Sequence, residues 1–130
     1  MKYFIASFKW IMLAAGLLTC TMVVGLFAPD TLLNSNFGET ISGNVANIIV
    51  RNWAALITLI GAMLIYGAFE PKVRRFALLI ASISKIIFII LVLFFGKSYL
   101  GFDIGTAIIF DSVMVILFAA YLLLTTKNKN

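Results

Sequence analysis

Apolar positions along the chain gather into four long runs, at about 10–28, 48–69, 76–95 and 105–126, separated by shorter polar stretches. Crossing the hydrocarbon of a bilayer takes ~20 apolar residues in a helix, so each run predicts one span. The nineteen residues of the first run would rise ~28 Å. The polar stretches predict the connections. Proline cannot donate a backbone hydrogen bond and biases the residue before it away from helix, so Pro29–Asp30 should end the first helix. From Pro29 to about Ile41 the chain is at its most polar and reads as a loop, with Leu32, Leu33 and Phe37 dipping into the interface. Thr40 or Ser42 is the expected cap of the next helix.

The remaining breaks are shorter. Glu70–Pro71–Lys72–Val73–Arg74–Arg75 reads as a tight basic turn, too short to cross anything, and so predicts a hairpin between the second and third spans. Gly96 to Gly105 reads as an ordered interfacial turn, because glycines permit tight bends and Tyr and Phe favour that depth. Met1–Lys9 is a short basic lead whose Tyr3, Phe4 and Phe8 suit the interface, and the final KNKN reads as a solvated tail. One polar pattern runs into a span: Asn44, Asn47, Arg51, Ala55, Thr58 and Ala62 share a helix face at 3–4 spacing. Small residues let membrane helices pack closely, so this face is either a packing surface or one wall of a polar cavity.

Composition agrees with the pattern. Hydrophobic residues make up 63% and charged residues 12%, and the mean hydropathy is +1.12, outside the range of soluble domains. The 130 residues make one domain, 1–130. A cleaved signal peptide is the rival reading of the first run, but its apolar core should be shorter and should end in a small-x-small site. Leu17–Leu18–Thr19–Cys20 loosely matches a lipoprotein processing site, yet TMVVG after it stays membrane-like. The net charge of +5 does not point to nucleic acid, because the basic residues flank the apolar runs and form no stripe. Seven of them, Lys2, Lys9, Lys72, Arg74, Arg75, Lys127 and Lys129, fall on one side, against Arg51 and Lys97 on the other. The basic side is expected to be cytoplasmic. That predicts an all-α membrane protein, an antiparallel four-helix bundle with both termini cytoplasmic.

The chemistry is narrow. There is no histidine and a single cysteine, Cys20, so no intramolecular disulfide, no usual zinc ligand set and no His-dependent triad can be assembled. No cofactor, metal or catalytic residue is expected. What remains is one ionisable residue in each of the last two runs, Lys85 and Asp111. A charge at the middle of a membrane helix costs ~2.5–3.5 kcal/mol on insertion scales and faces the bundle interior, where it finds a partner. Counting helical rise from the outer ends puts Lys85 ~15 Å and Asp111 ~9 Å deep, within reach of a lysine stem. Arg51, near the outer boundary, is expected to hang inward toward Asp111. The predicted cluster is therefore Arg51, Lys85 and Asp111, with Asn47, Asn44 and Ser82 beside them and Ser112 and Asn52 in support. It is either a buried salt bridge that orients helices or a ligand or proton site. Two cations on one carboxylate would favour a small anionic or lipid ligand.

The layout resembles the small four-helix bacterial inner-membrane proteins of the DoxX-like kind. A long first outer loop is followed by NWAALITLIGAMLIYGAF, a short PKVRR turn and two more spans. The resemblance implies architecture and an inner (plasma) membrane location. Small multidrug transporters are less similar, since they carry their essential carboxylate in the first span. The expected function is a non-enzymatic accessory subunit or small-molecule/lipid-binding module with a polar pocket in its outer half. The alternative is a proton-coupled transporter acting as an oligomer. The expected partners are the lipid bilayer and either a membrane-protein partner or further copies of the chain.

Overall fold

The computed structural model describes residues 2–40 and 42–128, with side chains to residue 126. Ile41 at the end of the expected loop, and Lys129 and Asn130 of the expected tail, lie outside the described residues, while Lys127 and Asn128 continue the last helix. Six α-helices follow one another: α1 (Lys2–Cys20), α2 (Val24–Phe27), α3 (Pro29–Phe37), α4 (Asn44–Phe69), α5 (Pro71–Phe95) and α6 (Asp103–Asn128). A 3-10 turn, Thr21–Val23, joins α1 to α2, so that Lys2–Phe27 makes one long rod. That rod, α4, α5 and α6 are the four helices long and apolar enough to cross a membrane. Their outward faces are apolar as well. Leu59, Phe94 and Ile116 are 64, 78 and 68% exposed, a surface suited to lipid rather than to water.

The first rod starts eight residues before the expected span, at Lys2 rather than Trp10. The cause is Phe8. It is fully buried, lies stacked 4.1 Å from the Tyr121 ring and meets Phe118 edge-on at 6.1 Å. Burying this side chain on α6 makes the basic lead part of the bundle. Met12, Leu64, Ala68, Leu78 and Ala81 complete the same core.

The α1–α4 contact is the closest in the fold. A Cβ built on Gly16 would stand 2.7 Å from Ile65 Cγ1 and 2.8 Å from the Gly61 carbonyl, and one on Gly61 would stand 2.7 Å from Cys20 Sγ. Without a hydrophobic driving force in lipid, helices associate through van der Waals packing of this kind. The packed face of α4 is Ala54, Gly61, Leu64 and Ala68, about a quarter turn round from the Asn44–Ala62 face read from the sequence, whose Thr58 carbonyl accepts from Cys20 Sγ at 3.7 Å.

The expected Pro29–Ile41 loop is largely helix. Pro29 sits at the first helical position, where its missing N–H is not needed, and Asp30 falls in the first turn, complementing the helix dipole. Leu32 and Asn36, four apart, are buried on one face. Gly38 ends the helix at φ 69°, and its N–H reaches the Asn34 carbonyl at 2.8 Å, the left-handed stop that glycine permits. The next helix is capped by Gly43, with no side-chain bond, rather than by Thr40 or Ser42.

The basic turn is shorter than the sequence implied. Glu70 alone separates α4 from α5, and its carboxylate accepts the Lys72 N–H at 3.4 Å. Pro71 opens α5, so Lys72, Arg74 and Arg75 lie on that helix. Arg74 donates to the Gly67 and Ala68 carbonyls at 3.0 and 2.7 Å. Arg75 reaches the Leu122 carbonyl at 3.2 Å and the Thr125 and Thr126 hydroxyls, both at 2.9 Å. The Arg74 guanidinium thus satisfies carbonyls that the end of α4 leaves without donors, while Arg75 ties the start of α5 to the last turns of α6.

Candidate functional site

The site lies between α5 and α6, just past the middle of α5 and about a third of the way along α6. Lys85 Nζ donates to Asp111 Oδ1 at 2.8 Å, with the two side chains 8 and 18% exposed. Because α6 begins at Asp103, two residues earlier than expected, Asp111 lies eight residues into its helix, a rise of ~12 Å. Lys85 lies ten residues from the end of α5, ~15 Å. The two depths nearly match, and a direct bond needs little extension of the lysine stem.

Both groups line a cavity of about 390 Å³, within the usual ~300–1,000 Å³ of small-molecule sites. Its walls come from α1, α3, α4, α5 and α6. Trp53 and Phe88 form one aromatic wall, their rings stacked at 6.2 Å. Thr19, Asn36 and Ser84 add polar atoms. Asn36 is buried and donates one amide N–H to the Leu32 carbonyl at 3.0 Å. Lysine has three N–H donors and an ionised carboxylate two acceptor oxygens. Among the described residues, Lys85 and Asp111 make only the bond to each other, so both have hydrogen-bonding capacity left toward the cavity.

Arg51 is elsewhere. It is exposed, takes Asn47 Oδ1 at 2.8 Å through Nε, and donates through Nη1 to the Leu26 carbonyl at 2.9 Å. The reason is the break at Ala28, with φ −136° and ψ 70°. It leaves Leu26 without the donor one turn on that a continuing helix would supply, and the guanidinium fills that place. Asn47 is half-buried and occupied by Arg51; Asn44 and Asn52 are exposed. Ser82 is on α5 but off the cavity wall, and among the described residues its buried Oγ has no hydrogen-bond partner. Of the six residues predicted for the site, Lys85 and Asp111 are brought together and the other four are not.

The positive excess expected from Arg51 is therefore absent at the pair, which is one base against one acid. The apolar pattern does not point to Asn36, which falls in the expected loop, or to Trp53, which lies within the second apolar run. The signals were there: Leu32 and Asn36 at helical spacing after Pro29, and Trp53 nine residues into its helix, well inside that run.

Near the α3 end, Tyr99 Oη donates to Glu39 Oε1 at 3.0 Å, and the Phe37 and Tyr99 rings meet edge-on at 5.3 Å. This hydrogen bond, and then the charge of Glu39, hold the Tyr99 phenol above its ordinary 10.0. Together these contacts fasten the end of α3 to the α5–α6 connection.

Among the described residues, the fold and site thus define an all-helical protein with four helices long and apolar enough to cross a membrane, built around one buried ion pair. Set against protein-family models, curated proteins and solved structures, the chain matches none of them.

Proposed function

We propose that the protein is an integral protein of the bacterial inner membrane that acts without catalysis, holding a small molecule or lipid in the cavity at Lys85–Asp111. In this reading the bundle is antiparallel with both termini cytoplasmic, in keeping with the DoxX-like layout and the positive-inside count. The order of contacts between the first rod and α4 supports the antiparallel part of this reading: Gly25 meets Ala54, Cys20 meets Gly61, Gly16 meets Ile65 and Met12 meets Gly67. The observation that carries the binding role is an ion pair with unused donors and acceptors facing a cavity large enough for a ligand. A pair serving only to orient helices would be expected to close on itself in packed surroundings.

Native mass spectrometry of the protein extracted from its own membrane tests this. A retained non-protein mass is expected on the wild type and not on the Lys85→Met/Asp111→Leu double variant, which keeps the volume but removes the polarity. Equal spectra would defeat the binding role. A second reading, proton-coupled transport by an oligomer, rests on the partial exposure of the Asp111 carboxylate in the cavity. It requires proton-linked flux that Asp111→Asn abolishes in a protein that still folds.

A further inference from the structure

Resting on that binding role, we infer that the ligand is a single-chain amphiphile with an uncharged hydroxyl headgroup, of the monoacylglycerol type, admitted sideways from the bilayer between α1 and α6. Two independent observations meet here: the shape of the opening and the balance of charge behind it.

The opening comes from how α1 and α6 part. They touch through Phe8 against Phe118 and Tyr121. Further along, Leu18 on α1 and Phe110 on α6 both line the cavity, yet are 51 and 52% exposed on the outer surface. The seam is open at that level, and its lips are apolar. Toward the α3 end the rim turns polar and acidic, with Thr21, Asp103 and Thr106 exposed, so a second carboxylate stands at the mouth while the pair behind it is balanced. The end itself is covered by α3, whose Leu32 and Asn36 are buried against the cavity and whose far end is fastened by Glu39–Tyr99. An alkyl chain can leave through Leu18 and Phe110 while its head stays inside.

The headgroup follows from the lining. Lys85 has N–H donors to spare, Asp111 a free carboxylate oxygen, and Asn36 a second N–H and its carbonyl oxygen. A hydroxyl both donates and accepts, so a glycerol-like head can answer each of these. A carboxylate or phosphate would only accept, and would face the Asp111 charge. An ammonium would only donate, and would face Lys85. An unmatched buried polar group costs ~1–3 kcal/mol, which corresponds to roughly five- to a hundredfold in affinity.

The test uses the full chain in nanodiscs, with monooleoylglycerol, oleate, oleylamine and free glycerol as probes, read by native mass spectrometry. Trp53 fluorescence, in a Trp10→Phe background, gives a second readout from the cavity wall. Saturable monooleoylglycerol binding is expected, roughly five- to a hundredfold tighter than oleate or oleylamine, with no saturation by glycerol. Ala107→Phe, which fills the cavity beside the seam, and Leu18→Phe, an exposed change on the lip, should each weaken it. If oleate or oleylamine binds as tightly, the headgroup assignment is overturned while the binding role stands. If glycerol saturates the site and monooleoylglycerol does not, the lateral route is overturned. If wild type and the Lys85→Met/Asp111→Leu variant behave alike with every probe and retain no native mass, the binding role itself fails.

Discussion

Lys85 on α5 and Asp111 on α6 meet through one 2.8 Å bond from Nζ to Oδ1 at nearly equal depth. Removing one partner of a buried pair leaves an uncompensated charge and costs ~3–5 kcal/mol, while replacing both by apolar groups is often close to neutral. Lys85→Met and Asp111→Leu should each lower the unfolding midpoint in detergent, and the double variant should recover most of the loss. Simple addition of the two penalties would show that the groups do not depend on each other.

Arg51 gives the complementary case. Its bonds run to Asn47 and the Leu26 carbonyl, with no partner in common with Asp111. Distant changes without shared partners add to within ~0.3–0.5 kcal/mol. Arg51→Gln combined with Asp111→Leu should therefore show additive losses in the same unfolding measurement. A marked coupling would restore the three-membered cluster that the sequence suggested.

The α1–α4 crossing predicts a sharp contrast between glycines. At Gly61 a methyl would meet Cys20 Sγ at 2.7 Å and backbone atoms at 2.8 and 2.9 Å, whereas at Gly101 nothing lies within 4 Å. Forcing an added carbon into packed surroundings costs ~1–3 kcal/mol. Gly61→Ala should lower the thermal midpoint clearly and Gly101→Ala should leave it unchanged. Equal effects would mean that α1 and α4 do not cross at these residues.

The Tyr99–Glu39 contact predicts an alkaline response. The folded state keeps the phenol protonated beyond its ordinary 10.0, so the bond is fully present below that value and is lost as pH rises through the raised one. An ultraviolet titration, with Tyr99→Phe subtracted to isolate this residue, should show late ionisation. Glu39→Gln should bring it back toward ordinary. No change on Glu39→Gln would remove the contact as the cause.

The four apolar rods were legible because lipid demands length and apolarity, both visible in composition alone. The ion pair was legible for a related reason: a charge in such a run requires an opposite charge nearby, and Lys85 and Asp111 stand at similar distances from their helix ends. Arg51 was not, because its partner is a carbonyl orphaned by the break at Ala28, far back in the chain. Periodicity places a side chain on a face and says nothing about where a backbone group will lack a donor. The α3 helix was hidden by its low hydropathy, although Pro29, Asp30 and Gly38 marked both of its ends. Phe8 looked like an interfacial residue because it lies among basic ones, and only the ring of Tyr121 on a distant helix explains its burial.

One residue, Glu70, is all that stands outside helical conformation between α4 and α5. Such a joint has no slack: these two rods cannot slide or splay without unwinding a turn, and Arg74 clasps the carbonyls on the other side of the joint. They form a fixed spine. The first rod is held to that spine at the Gly16–Gly61 crossing, so the freedom left to the molecule belongs to its last rod, which reaches the spine through the longer link before Asp103. Any change in the width of the cleft must be made by α6, while the other three rods stay together.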